Sequence, residues 1–225
     1  MSTPSGPTPR RRLTKERILR AAVDLADREG LGALTMRRLG AELGVEAMSL
    51  YKHVANKEEI LDGVVELIVG QIEIPVSGEP WQEAMRRRAQ SAREVLCRHS
   101  WAIGLLESRR SMGPATMRYT EAVLGNLRSA GFSLDDAAHA FWLLDSYVYG
   151  HVIQETSLGP VGPVDGSTSG AAEAAGEAVT MADFPNLVAL GERARQSGYS
   201  VDREFAHGLD LILGAVERSA APAGG

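Results

Sequence analysis

The sequence predicts an all-α protein of about nine to ten helices, in which an amino-terminal three-helix domain precedes a larger helical domain. Apolar residues recur at three- and four-residue spacing along most of the 225 residues, and helix caps and glycines interrupt them. No stretch shows the alternating pattern of a strand. Aromatic residues make up only 5% of the chain, which favours helices over a β-sandwich.

Three helix signals follow one another near the amino terminus. Thr14 can cap a first helix that stops at Gly30. Thr35 can cap a second helix, about two turns long, that ends at Gly44. A third short segment over residues 46–53 has apolar residues for burial.

The turn between the second and third helices has the residues that a helix-turn-helix requires. Gly44 can adopt the left-handed backbone of the turn, and Ala41 is small where the two helices approach each other. Val45 and Leu50 can pack the third helix onto the second. Residues 13–60 are therefore predicted to form a helix-turn-helix domain.

A long fourth helix is predicted to join this domain to the rest of the chain. Asn56 can cap it, Glu59 can reach back to the Asn56 N–H, and the helix is expected to end near Pro75. About five or six further helices follow. Residues 61–219 are predicted to form the larger helical domain.

Several segments differ from the rest in composition. We expect disorder in the basic, Pro-rich arm of residues 1–12 and in the tail of residues 220–225, and a mobile loop over residues 157–180. Residues 137–153 and 205–216 are apolar almost all round the helix. These two segments are expected to lie between other helices or at a subunit contact.

Charge is distributed unevenly along the chain. Residues 1–60 carry 11 Lys and Arg against 8 Asp and Glu, whereas the remainder carries 13 against 21. This suits a DNA-binding head on an acidic body, although a chance scatter of solvated charges explains it equally well. With no apolar stretch of the roughly 20 residues that span a membrane, no secretory signal and a lone Cys97, a cytoplasmic protein is expected.

The predicted third helix has side chains that suit the major groove of DNA. A single helix fits that groove. Ser49, Tyr51, Lys52 and His53 lie on this segment, and each can reach a phosphate or a base edge.

Two ordered motifs in this region resemble the tetracycline-repressor (TetR) family of transcriptional regulators. Residues 34–45 read Leu-Thr-x-Arg-x-Leu-x-x-x-Leu-Gly-Val, and residues 50–61 read Leu-Tyr-x-His-Val-x-Asn-Lys-x-x-x-Leu. Weaker likeness at residues 81–82, 131–134 and 208–212 points to the tetracycline-repressor branch. The resemblance implies an all-helical homodimer that binds a palindromic operator in double-stranded DNA as a repressor and is released by a small-molecule effector.

The resemblance also implies which residues contact DNA. They are Thr35, Arg37, Ala47, Met48, Ser49, Tyr51, Lys52, His53 and Lys57. The tetracycline repressor has glutamine and proline where this chain has Ala47 and Met48, so a different operator is expected. Met48 could contact a thymine methyl, and Lys52 a phosphate or a guanine. The arginines of residues 10–12 either lie in the minor groove or remain unbound.

An effector pocket is expected around residues 101–154, since pockets between helices are mostly apolar with a few polar anchors. The candidate residues are Arg88, Trp101, Leu106, Arg109, Met112, Met117, Trp142, Asp145, Tyr149 and Gln154. Ordinary core packing is the alternative for the aromatic and methionine side chains. Where the resemblance implies a histidine and a glutamate for a magnesium–tetracycline complex, this chain has Leu106 and Gln154, which disfavours that effector.

No metal site, cofactor or catalytic apparatus is predicted. His139 and His151 are twelve residues apart, about 120° around a helix, so they cannot share one metal ion. Ser49 and Lys52 match the Ser-x-x-Lys pattern of penicillin-recognising enzymes, but the partner motifs of those enzymes are absent.

The preferred interpretation is a homodimeric, ligand-responsive repressor. The resemblance implies that helices eight and ten of each subunit form an intersubunit four-helix bundle and that the fourth helix transmits effector binding to the DNA head. Two alternatives stay open. One is a helical effector-binding dimer whose DNA head is vestigial, and the other, which nothing in the sequence recommends, is a small helical enzyme.

Overall fold

The structure, a computed structural model, describes residues 12–109, 112–158, 183–198 and 200–219, and its regular elements within these ranges are all helical. The α-helices are α1 (Lys15–Glu29), α2 (Met36–Leu43), α3 (Ala47–Leu50), α4 (Lys57–Val69), α5 (Trp81–Arg98), α6 (Ile103–Ser108), α7 (Pro114–Ser129), α8 (Leu134–Leu158), α9 (Pro185–Ser197) and α10 (Val201–Ser219). The predicted all-α fold is confirmed for these ranges.

Local hydrogen bonds start the amino-terminal helices where the sequence predicts. The side chains of Thr14, Thr35 and Asn56 each accept a bond from the backbone N–H three residues later, at 3.2, 3.1 and 2.9 Å. The prediction for Glu59 is wrong by one residue. Its carboxylate accepts a bond from the Ala55 N–H at 2.6 Å.

The turn between α2 and α3 depends on two glycines. Gly44 has the predicted left-handed backbone, with φ of 68°. The close approach predicted for Ala41 occurs at Gly40 instead, since Ala41 is exposed. A Cβ on Gly40 would stand 2.9 Å from the Val45 carbonyl oxygen and 3.1 Å from the Ala47 nitrogen.

Helix α3 is shorter than the predicted segment of residues 46–53. It has one helical turn, after which the N–H groups of His53 and Val54 donate to the Leu50 carbonyl oxygen at 2.9 and 3.1 Å. Residues 51–53 therefore continue the predicted segment beyond α3 as a hydrogen-bonded turn.

The chain packs as two compact units. The first comprises Met1–Ile74 and Trp101–Ala122, and the second comprises Pro75–Ser100 and Val123–Gly225. In the first unit α1 packs against α2 and α4, and α4 contacts α6. The functional division after residue 60 stays a prediction, but α4 beyond that residue packs within the first unit.

Helix α4 ends earlier than predicted. It stops at Val69, well before Pro75, and the residue that follows, Gly70, is a poor helix former. The Gly70 N–H makes the last helical bond, to the Glu66 carbonyl oxygen at 3.0 Å.

The second unit is built around α8, against which both α5 and α10 pack. Met85, Leu96 and Leu144 are fully buried there. The outer sides of α8 and α10 carry exposed apolar residues, so residues 137–153 and 205–216 are only partly enclosed within this chain.

The predicted disordered segments lie largely outside the described residues. These include the arm before Arg12, the loop from residue 159 onward and the tail of residues 220–225. Ser157 and Leu158, which we predicted to belong to the loop, are the last residues of α8. No helix in the described ranges is long and apolar enough to cross a bilayer.

Candidate nucleic-acid interface and effector region

Helix α3 and the turn after it expose most of the predicted DNA-contacting side chains. Met48 is 74% exposed and Tyr51 is 45% exposed. Lys52 and His53 are also exposed, and Ala47 and Ser49 are half-buried. Leu50 is fully buried. Residues 47–53 are thus anchored through the side that carries Leu50, and their other side is available to a partner.

The remaining predicted contacts lie at the starts of two helices. Thr35 caps α2, the exposed Arg37 lies in the first turn of α2, and Lys57 is the first residue of α4. A cation in the first turn of a helix is repelled by the positive end of the helix dipole, so neither residue stabilises its own helix there. An anion is attracted both by such a cation and by the free N–H groups of the helix start. These positions therefore suit a phosphate group.

The cations of the first unit fall into two groups. Several hold carboxylates in ion pairs, namely Lys15 with Glu59, Arg20 with Glu16, Arg28 with Glu42, and Arg38 with Glu29. Five others, Arg12, Arg37, Lys52, Lys57 and Arg118, differ, because no carboxylate in the described ranges forms an ion pair with them. Three of these five, Arg37, Lys52 and Lys57, belong to the predicted DNA-contacting set. Their charge is therefore available to neutralise phosphates.

Two effector candidates have structural partners within the first unit. The Trp101 indole N–H donates to Asp27 at 2.7 Å. Arg109 donates to Asp62 at 2.6 Å and to Glu58 at 2.9 Å. Both side chains therefore join separate segments of the first unit by hydrogen bonds.

Two other candidates of the first unit lie together on an apolar groove. Met112 and Met117, 51% and 54% exposed, line an open groove of about 670 Å³ together with Ile74. Leu106 is half-buried and is not part of that lining. The structure thus brings two of the predicted apolar residues to one surface.

In the second unit, two predicted polar anchors meet each other. Arg88, only 1% exposed, forms a buried ion pair with Asp145, and its guanidinium lies 5.2 Å from the centre of the Phe141 ring. Trp142 lies off the buried stripe of α8 and is 65% exposed, which places it on the surface of this chain rather than in an enclosed pocket. Tyr149 is half-buried and Gln154 is exposed.

A charged network between α5, α8 and α10 was missed by the sequence analysis. Arg93 donates to both oxygens of Glu155 at 2.8 Å and to Asp202 at 2.7 Å, above the Phe205 ring. These residues line a cavity of about 640 Å³. Hydrogen bonds from Arg93 hold the pKa of Glu155 below its ordinary value. No local spacing signals this network, because its members come from three separate helices.

Cys97 lines the same cavity but lacks the properties of a reactive thiol. Burial, with the Glu155 carboxylate adding to the effect, raises the pKa of Cys97 to about 11. The thiol is therefore protonated at neutral pH and a poor nucleophile. Among the residues that the structure describes, no three His, Cys, Asp or Glu side chains are grouped to hold a metal ion.

Two family models together match most of the chain. The model described as "Bacterial regulatory proteins, tetR family" matches residues 18–64. The model described as "Tetracyclin repressor-like, C-terminal domain" matches residues 74–219. The first match includes the turn between α2 and α3.

Two regulators with similar sequences match part of their own length. An HTH-type transcriptional regulator from Saccharopolyspora erythraea is 37% identical over 145 residues, covering 64% of this chain and 61% of that protein. The HTH-type transcriptional repressor DrrR1 from Streptomyces coeruleorubidus is 37% identical over 147 residues, covering 64% of this chain and 54% of that protein. The matches thus span less than two thirds of either relative.

A solved structure matches nearly the whole fold. The TetR family protein ActR from Streptomyces coelicolor, in complex with actinorhodin, has a TM-score of 0.73 and 30% sequence identity. The match covers 94% of this chain and 100% of ActR. These relatives are regulators and not enzymes. Together with the family models, they establish that the chain belongs to the TetR family of bacterial regulatory proteins.

Proposed function

We propose that this chain is a ligand-responsive repressor that binds a palindromic operator in double-stranded DNA as a homodimer and is released by a small-molecule effector. In this proposal residues 13–60 recognise DNA, and residues 61–219 bind the effector and form the dimer. Membership of the TetR family supports this division of roles.

The observation that carries DNA binding is the set of three cations around α3 that lack a carboxylate partner in the described ranges. Arg37, Lys52 and Lys57 can each neutralise a phosphate and release a counterion, which makes binding strongly dependent on salt. The exposed side chains of Met48 and Tyr51 belong to the same region, α3 and the turn after it. Contacts from these two side chains to base edges would add sequence preference, with Met48 suited to a thymine methyl.

The exposed apolar side chains of α8 and α10 support dimerisation. Trp142, Leu143 and Ile153 on α8 are 65%, 47% and 48% exposed, and Leu211 on α10 is 62% exposed. Trp142 and Ile153 are eleven residues apart, about three turns, so they share one face of α8. Exposed apolar patches of this kind mark interaction sites. Pairing the faces of two subunits would give an intersubunit four-helix bundle.

The effector in this proposal is a small, largely apolar organic molecule. The complex of ActR with actinorhodin supports a small-molecule ligand for this chain. Flexible methionine side chains such as Met112 and Met117 adapt to irregular apolar surfaces. Release requires that the effector bind the DNA-free state more tightly than the DNA-bound state. A thermal-shift screen of metabolites and drugs would find such a ligand, since binding to the folded state raises its stability.

Selection from a random double-stranded DNA library by the full-length protein tests DNA binding. We expect a palindrome whose half-site centres are about one helical turn apart, roughly 10 base pairs. Gel-shift titrations of the selected DNA should weaken steeply as salt rises. Failure to enrich any sequence, even at low salt, would overturn the repressor proposal and favour a dimer whose DNA head is vestigial.

A further inference from the structure

The turn that joins α3 to α4, residues 51–56 and here named the α3–α4 turn, carries three of the predicted DNA-contacting side chains. They are Tyr51, Lys52 and His53, and all three are exposed. Leu50, just before the turn, and Val54, within it, are buried and anchor this stretch in the first unit. The positions of the exposed side chains therefore depend on how firmly the backbone of the turn is held.

Hydrogen bonds hold the turn at both ends. Near its start, two of its N–H groups donate to the Leu50 carbonyl oxygen at 2.9 and 3.1 Å. At its end, the Asn56 side chain accepts from the Glu59 N–H at 2.9 Å and so starts α4. Between these bonds lies Ala55, which is exposed and whose N–H donates to a side chain.

That side chain is Glu59, and both oxygens of its carboxylate are engaged. Oε2 accepts the bond from the Ala55 N–H at 2.6 Å, and Oε1 accepts a bond from the Lys15 ammonium on α1. The bond from Ala55 and that from Lys15 hold the pKa of Glu59 below its ordinary value, so the carboxylate is charged at neutral pH. One side chain of α4 thus joins the backbone of the turn to α1.

The charge of Glu59 and its bond to the turn should have opposite effects on DNA binding. Glu59 lies two residues from Lys57, with which no carboxylate in the described ranges forms an ion pair. A negative charge here opposes the phosphates, so binding that depends on charge alone should strengthen when the carboxylate is removed. Binding that depends on the positions of the exposed turn side chains should weaken.

We propose that Glu59 is a positioning residue for DNA recognition, which holds the α3–α4 turn in the conformation that reads the operator and so contributes to discrimination between the operator and other DNA. The inference rests on the proposed function, since only a protein that binds an operator discriminates in this way. A turn that is already fixed avoids the entropic cost of ordering its side chains on binding. A loose turn still offers the same charges to any phosphate backbone, because phosphate contacts carry no sequence information.

The test compares affinity for the operator selected from the random library with affinity for a scrambled duplex of the same length and composition. Full-length Glu59→Ala removes the bond to the turn, whereas Glu59→Gln keeps a carbonyl oxygen that can accept from the Ala55 N–H. Glu16→Ala is the matched control, because it removes the same charge from an exposed ion pair within α1. Amide hydrogen exchange at Ala55 reports on the turn without DNA, and circular dichroism shows whether each variant is folded.

We expect Glu59→Ala to lower operator affinity about tenfold, comparable with the effect of one mismatched base pair, and to leave affinity for the scrambled duplex equal or higher. Amide exchange at Ala55 should become faster in the same variant. Glu59→Gln should lower operator affinity by about threefold, because a hydrogen bond to a neutral acceptor is weaker than one to a carboxylate. Glu16→Ala should keep the wild-type ratio of the two affinities.

The ratio of operator affinity to scrambled-duplex affinity decides the outcome. A folded Glu59→Ala protein that keeps the wild-type ratio would overturn the inference and leave the proposed function intact. Equal losses on both duplexes would overturn it as well, since a destabilised DNA head has that effect. If Glu59→Ala fails to fold, a wild-type ratio in Glu59→Gln would overturn the inference and a lowered ratio would support it. Equal binding of both duplexes by the wild-type protein would overturn the proposed function together with the inference.

Discussion

Gly40 lies directly against Val45, with no room for a side chain between them. A Cβ on Gly40 would stand 2.9 Å from the Val45 carbonyl oxygen, and the Val45 N–H donates to the Gly40 carbonyl oxygen at 2.9 Å. Backbone atoms cannot rotate away as a side chain can. The orientation of α3, and with it every contact that α3 makes, therefore depends on this close approach.

Gly40→Ala should lower the free energy of unfolding by about 1–3 kcal/mol, as overpacking does, despite the higher helix propensity of alanine. Urea unfolding measures this change. Gly32→Ala is the control, because nothing lies within 4 Å of a Cβ there. A Gly40→Ala protein as stable as the wild type would show that α2 and α3 separate easily.

Arg88→Met should be strongly destabilising. It leaves Asp145 buried without its charge partner, and breaking a buried pair in this way costs about 3–5 kcal/mol. The double variant Arg88→Met with Asp145→Leu should recover most of the lost stability, since it removes both charges. Thermal and urea unfolding of the wild type, the single variant and the double variant would measure this recovery. A double variant as unstable as Arg88→Met would mean that the two residues act independently.

Stability should fall in acid partly because of His151. Burial, with the charge of Arg93 adding to it, lowers the pKa of His151. The folded protein thus favours the neutral ring. The neutral ring's contribution to the free energy of unfolding is fully present above about pH 6.5 and is lost as the pH falls through the lower pKa of the folded state. Glu155, whose pKa is also lowered, adds a further loss below about pH 4.5.

His151→Gln should therefore flatten the decline of unfolding free energy below about pH 6.5 and leave the decline at more acid pH. Exposed His139→Gln is the control. Denaturant titrations at a series of pH values measure the free energy of unfolding of both variants. An unchanged profile in His151→Gln would assign the acid sensitivity to other groups.

Leu211→Glu and Trp142→Glu should each shift the protein from dimer to monomer, because they place a charge in an apolar face that a partner would bury. Sedimentation velocity over a range of concentrations gives the association constant. Arg128→Glu is the control, at an exposed position on α7. Dimers of unchanged affinity in both apolar-face variants would place the subunit contact elsewhere.

The sequence alone predicted the structure correctly at positions whose conformation depends on residues nearby in the chain. Thr14, Thr35 and Asn56 act through bonds three residues away, and Gly44 acts through its own backbone angle. Sequence patterns of this range are readable without a structure. The starts of the amino-terminal helices and the tight turn between α2 and α3 followed from them.

Prediction failed where the outcome depends on contacts that no local pattern encodes. Whether Gly40 or Ala41 lies at the close approach depends on the exact rotation of α2. The bonds of Arg93 and Arg109 join residues 47 to 109 positions apart, so spacing could not reveal them. For the same reason the sequence suggested Arg109 as a polar anchor but could not indicate the carboxylates that it holds.

The salt dependence of operator binding tests the central claim, that the face of α3 and the adjoining helix starts binds DNA phosphates. On the selected operator, Arg37→Gln, Lys52→Gln and Lys57→Gln should each weaken binding and reduce the slope of log affinity against log salt by about one. Arg20→Gln should leave that slope unchanged. Slopes equal to that of the wild type in all three variants would contradict the account.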